Sequence, residues 1–175
     1  MKQLSILLFC VLLTSCAREI SFDQLVERDG ITYEVLSTEP YSGFVYTDYE
    51  NLGRVKNGSY KDGEEDGSWE EYYENGQLKI KGSWKDGEQD GLWESYYENG
   101  QLWEKETYKD GELDGLWEEY DENGKLDSKG SHKNGKLDGL WQSFYDNGQL
   151  KIKSSYKDGE LDGLWEEYDE NGKLD

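Results

Sequence analysis

Histidine occurs once in this chain, at His132, and proline once, at Pro40; cysteine occurs only at Cys10 and Cys16. With one histidine there is no Ser/His/Asp arrangement, and the body of the chain holds no cysteine nucleophile. His132 stands where other segments carry Trp or Tyr, so it reads as a drifted core aromatic rather than a catalyst. Basic residues are also scarce: 19 Lys and Arg face 40 Asp and Glu, for a formal net charge of −21. That balance offers no basic stripe for nucleic acid, favours a soluble monomer and repels anionic lipid surfaces. Low hydropathy with high charge also marks disordered chains, but seven Trp and fourteen Tyr argue for a packed structure.

Long apolar runs are missing as well. Leu4 to Leu13 is interrupted only by Ser5, and it is too short to span a bilayer, which takes about 20 residues. Behind Lys2 it fits the apolar stretch of a secretory signal. Leu13-Thr14-Ser15-Cys16 resembles the bacterial lipobox. The resemblance implies removal of residues 1–15, acyl chains on Cys16 and a membrane held through that lipid. With several chains the anchor is stable. Ala17 rather than Asp implies the outer membrane of a Gram-negative envelope, facing the periplasm or the surface. Cys10 then leaves with the signal and Cys16 is consumed by lipid, so no disulfide remains and packing alone must hold the fold.

What is abundant is a period. Trp69, Trp93, Trp117, Trp141 and Trp165 recur at a constant spacing of 24, and so do Gly63 to Gly159, Gly67 to Gly163 and Gly76 to Gly172. The units are 67–90, 91–114, 115–138 and 139–162, with a partial unit at 163–175 and a degenerate copy at 43–66. "YKDGELDGLWEEYDENGKLD" is spelled at 108–127 and again at 156–175, two units apart.

Each unit reads as a β-hairpin. Asn75-Gly76 and its equivalents suggest a type I′ turn between aromatic, alternating runs. The other connection, such as 109–115, reads as longer and glycine-bounded. Alternation puts Leu78, Ile80, Gly82 and Trp84 on one face and Lys79, Lys81 and Ser83 on the other. The first strand is less regular, because Trp93 and Tyr96 have opposite parity. Either both faces carry aromatics or a bulge re-aims one. Ordering a residue costs about 1–2 kcal/mol, whereas a buried apolar side chain returns about 1.5–3 kcal/mol. A lone unit therefore cannot fold, and stacking supplies the rest. The expectation is an all-β, elongated antiparallel meander or solenoid of 24-residue hairpins, advancing about 10 Å per unit.

Residues 16–42 lack the Asn-Gly column. An Asp29-Gly30 turn, an alternating strand from Ile31 to Leu36 and Pro40 suggest an N-terminal cap joined by a tether to the lipid. After Asn171-Gly172 the last hairpin lacks most of its second strand; such an edge invites pairing with another chain, while the plainer expectation is that the short tail frays.

"IKGSWKDGEQDGLW" at 80–93 resembles the MORN repeat, and the 24-residue spacing with "GLWEEYDENGKL" is similar to its bacterial variant. The resemblance covers about 43–175. It implies a β-hairpin array, often on a lipoprotein and often carrying an antitoxin-like label. That label fits poorly with an exported chain. The family places basic residues between the last two glycines of a unit in its membrane-junction members. Here those positions read Glu64-Glu65-Asp66 and Glu88-Gln89-Asp90, which argues against binding anionic lipid heads.

Function is then expected to be non-catalytic, without cofactor or metal. Carboxylate pairs recur in every unit, whereas a glycosidase needs two acids in different environments. "EYDENGKLD" at 119–127 faintly resembles a calcium loop but lacks the closing Glu. Repeats present extended surfaces, so the leading expectation is an envelope scaffold for a protein partner. The alternative is a glycan-binding module in which Trp69, Trp93, Trp117, Trp141 and Trp165 stack on sugars.

Overall fold

In the computed structural model residues 18–174 are described; the signal segment and Cys16 lie outside them. Among these residues there are seventeen strands, no α-helix and one 3₁₀ turn at Phe22–Gln24. The expected all-β hairpin array is what forms. Strands from Gly67–Tyr72 to Glu160–Glu167 make an 11-stranded sheet, with the long strands hydrogen-bonded in chain order and antiparallel throughout. A four-stranded sheet precedes it, built around Gly43–Tyr49 and Gly53–Lys61.

The turn types are exchanged relative to expectation. Asp86 and Gly87 both have positive φ, at 49° and 76°, and the same holds at each equivalent pair from Asp62-Gly63 to Asp158-Gly159. These are the two-residue type I′ turns. At Asn75-Gly76 only the glycine is positive. There Gly76 N–H donates to the Tyr73 carbonyl and Tyr73 N–H to the Gln77 carbonyl, each at 2.9 Å. This is a type I turn closed by a left-handed glycine, and Asn75 instead accepts from Gln77 N–H through its side chain. The seemingly long second connection is thus the tighter one, followed by a kink at Asp90-Gly91 where Asp90 N–H donates to the Ser83 carbonyl.

A bulge resolves the parity conflict. Glu71 pairs with Ile80 but Tyr72 pairs with Leu78, leaving Lys79 as the extra residue, and the same shift recurs at Ser95/Tyr96, Glu119/Tyr120 and Ser143/Phe144. Both faces therefore carry aromatics. The grouping of Leu78 with Ile80 is corrected, since pairing with Tyr72 puts Leu78 on the opposite face.

Beyond the sheet ladder and a recurring turn bond, such as Gly111 N–H to the Gln89 carbonyl, side chains join the units by two devices. The first is a slot. A row across the sheet reads Trp69, Gly82, Trp93, Glu106, Trp117, Gly130, Trp141, Ser154, Trp165. A methyl group on Gly82 would lie 2.2 Å from the Trp93 ring, one on Gly58 2.2 Å from Trp69 and one on Gly130 2.5 Å from Trp141. The indole of one unit lies flat on the bare backbone of the unit before it. The second device is a set of side-chain staples. Tyr73, Tyr97 and Tyr145 hydroxyls donate to the carbonyls of Tyr96, Tyr120 and Tyr168 at 2.7–2.9 Å. Asn75, Asn99 and Asn147 side chains donate to the carbonyls of Glu98, Glu122 and Glu170.

At the N-terminal end, Glu19–Ser21 pairs in parallel with Gly43–Tyr49. Leu25–Arg28 and Ile31–Glu34 form a hairpin turned at Asp29-Gly30, so that strand ends before Leu36, which is exposed with φ 67°. Ile20, Tyr41, Val45, Tyr60 and Trp69 pack into one core, and Phe22 meets Trp69 edge-on at 6.5 Å. The buried Asn57 carries the join to the next unit: it accepts from Thr47 Oγ1 and donates to the Glu70 carbonyl at 2.9 Å.

Candidate functional site

The two faces of the sheet differ in chemistry. On one, Glu70, Lys81, Glu94, Lys105, Glu118, Lys129, Gln142, Lys153 and Glu166 follow one another across successive strands. Acid and base alternate, broken once by Gln142. Opposite charges directly across a pair stabilise by about 0.2–1 kcal/mol. Lys81 Nζ lies 2.5 Å from Glu94 and Lys153 Nζ 2.9 Å from Glu166. The Glu94 contact raises the Lys81 pKa, and the Lys153 contact lowers that of Glu166. Tyr72, Tyr96 and Tyr120 hydroxyls donate to Glu70, Glu94 and Glu118, which anchors the aromatic column beside the ladder. Donation to the Glu70 carboxylate pushes the Tyr72 pKa up to about 12.

Beside the ladder runs a row that composition alone does not reveal. Leu92, Leu116, Leu140 and Leu164 precede the tryptophans and so point to the opposite side. They are 46%, 68%, 44% and 77% exposed, and the first three pair with Thr107, Ser131 and Ser155. Between Leu116 and Leu140 is a groove lined by Glu118, Lys129, Ser131 and Gln142, with a volume of about 370 Å³. The signal was present in the sequence as a Leu column beginning at Leu92, where the preceding unit has Ser68.

The other face holds the tryptophans, and it narrows the candidate binding surface. Trp69 and Trp93 are 7% and 8% exposed, closed over by Tyr60 and by Trp84 with Tyr108. Neither offers a face to a ligand. Trp117 and Trp141 are half-buried and stack at 5.0 Å, while Trp165 is 49% exposed. Part of the cause lies across the strand. On the side of the preceding unit Trp117 meets Glu106 and Trp165 meets Ser154, where Trp69 and Trp93 meet Gly58 and Gly82; Trp141 is seated on Gly130 and is half-buried all the same. Trp117 instead donates from Nε1 to Glu104 at 2.8 Å.

His132 occupies the column of Tyr60, Trp84, Tyr108 and Tyr156. Burial lowers its pKa, and its Nδ1 is buried without a partner. The 119–127 loop directs its Asp121 carboxylate inward: it accepts from Asn123 and Lys125 N–H at 2.9 and 2.8 Å. Those bonds, Lys125 foremost, lower its pKa.

A family model described as the MORN repeat variant matches residues 65–86, 89–110, 113–134, 137–158 and 161–175, more than half of the chain. No curated protein matches the chain.

Proposed function

The chain belongs to the MORN repeat variant family, and from that premise we propose that it is a non-catalytic, lipid-anchored scaffold of the bacterial envelope that holds a protein partner. It is a repeat protein built of β-hairpins. The observation that carries the reading is the row Leu92, Leu116, Leu140 and Leu164. Isolated exposed leucines are ordinary, but a row of them at the unit spacing, beside a neutral charge ladder, forms a continuous docking strip. Repetition lets a partner engage several units at once, so modest contacts add up. Leu4 to Leu13 followed by Leu13-Thr14-Ser15-Cys16 supports the anchor.

The test is site-specific photo-crosslinking in the cells that make the protein. A photoreactive residue at Leu116 or Leu140 is expected to capture one dominant protein, and one at Leu36 is not. Recovery of wall polysaccharide by a photoreactive residue at Trp165, on the opposite face, would instead favour a glycan-binding module using Trp117, Trp141 and Trp165. No capture at either strip position would sink the scaffold. The anchor is checked separately: an alkyne fatty acid should label the wild type and not Cys16→Ser.

A further inference from the structure

The tryptophan face has carboxylates that its neighbours do not neutralise. Glu104 and Glu106 take the columns that Ile80 and Gly82 fill one unit earlier, and Glu119 stands directly across from Glu104. Like charges in that relation destabilise a sheet. All three are half-buried. Trp117 Nε1 donates to Glu104 Oε1 at 2.8 Å, Tyr108 hydroxyl to Glu106 Oε2 at 3.0 Å and Ser128 hydroxyl to Glu119 Oε2 at 3.2 Å. Among the described residues no lysine or arginine forms an ion pair with any of the three. The preceding unit handles its one acid here differently, since Lys79 Nζ lies 3.7 Å from Glu71. The equivalents of that pair are Trp103 and Ser95, so the cation is gone where the acids have multiplied.

We infer that this face docks a basic segment of a partner protein, with an arginine laid against Trp117 and its guanidinium on Glu104 and Glu106. Charge complementarity selects the occupant. Uncompensated carboxylates set among Trp93, Tyr108 and Trp117 are matched by a planar cation that stacks on indole and pairs with carboxylate at once. A second copy is disfavoured, because two chains of net charge −21 repel. A metal ion is a poorer fit, since no group of three or more His, Cys, Asp or Glu among the described residues is placed to hold one. The acidity of the whole chain steers a basic partner toward it. This face lies opposite the leucine strip, so the ribbon has two independent docking sides.

The probe is a synthetic peptide alternating Leu and Arg, titrated into the intact protein at physiological salt and followed by tryptophan fluorescence. Glu104→Gln with Glu106→Gln should weaken binding by about tenfold or more. Glu98→Gln with Glu170→Gln, the same charge change at two exposed turns, should alter it by less than about twofold. A Leu-Lys peptide should bind several-fold more weakly than Leu-Arg. Equal weakening by both double variants would reduce the effect to net charge and overturn the proposal. So would equal binding of the Lys and Arg peptides, or no binding to the wild type. Circular dichroism and a thermal melt of each variant separate lost binding from lost fold. None of these outcomes moves the crosslinks at Leu116 and Leu140, so the scaffold reading stands or falls separately.

Discussion

The joint between units 91–114 and 115–138 and the joint that follows it hold together by opposite means. At the first, Glu106 stands where Trp117 would need glycine, and no slot forms; Tyr97 and Asn99 staple the units instead. At the second, Gly130 seats Trp141, but the tyrosine column holds Asp121, and both Asp121 and Asn123 bond within their own loop. Only Lys125 Nζ reaches across from that loop, to the Asp146 carbonyl at 2.9 Å. The joint between 67–90 and 91–114 has both devices, with Gly82 beneath Trp93 and staples from Tyr73 and Asn75. Slot and staple are thus separable. Each can be lost where the other remains, and a joint reduced to one device is the place where the array is easiest to open.

The strongest break of this contrast is Gly130→Val. Its side chain has no room under Trp141, and the joint has no Tyr or Asn staple in reserve. Overpacking of this kind costs about 1–3 kcal/mol or more. The expected result is a lower urea midpoint, with hydrogen exchange speeding up across 139–174 while 67–114 keeps its protection. Loss of protection spread evenly along the chain would mean that the joints do not act separately. Gly82→Val should open its own joint less, because the Tyr73 and Asn75 staples persist there.

Next in size is Tyr97→Phe, which removes one interunit hydrogen bond at the joint without a slot. The loss is about 1 kcal/mol. Amides after Tyr120 should exchange faster in this variant than amides after Tyr96 do in Tyr73→Phe, where the Gly82 slot still holds. Matching exchange in the two variants would show that slot and staple do not share the load.

Much of this was legible in advance and some could not be. The period, the hairpins and the all-β class follow from Trp, Gly and Asn-Gly columns that never slip. The turn types came out exchanged because Asn-Gly is the stronger local signal, while Asp86-Gly87 hides in a run that looks long. Leu78 leaves the face that simple alternation gives it because the bulge at Lys79 changes parity, and a bulge is a property of pairing rather than of one strand. Gly82 read as a mere member of its alternating set. Its role as a seat depends on the indole of the following unit, which no single-strand pattern contains. Glu104 and Glu106 were visible as departures from Ile80 and Gly82, but their missing counter-charge needs the register with Glu119.

The smallest expected effect sharpens the comparison at its chemical origin. Burial, reinforced by the charge of Glu104, holds the Glu106 pKa above the usual carboxylate value, with the Tyr108 hydrogen bond opposing. A raised carboxyl pKa means that the folded state disfavours the charged form, so Glu106 weakens the fold wherever it is ionised. The penalty is full above the folded pKa, shrinks as pH falls through it and is absent below the ordinary glutamate value. Glu106→Gln should therefore stabilise the protein near neutrality by roughly 0.5–1 kcal/mol, the scale of a like-charged contact in a sheet. The gain should vanish in acid. Thermal melts of both proteins from pH 7 to below the carboxylate range test this, and melting curves that stay parallel would mean that Glu106 carries no such charge cost. Asp121 and Asp169 have lowered pKa values from bonds to their own loops, so their contribution has the opposite sign and is lost in acid. It is common to both proteins and cancels in the difference, which leaves Glu106 as the group that the comparison reads.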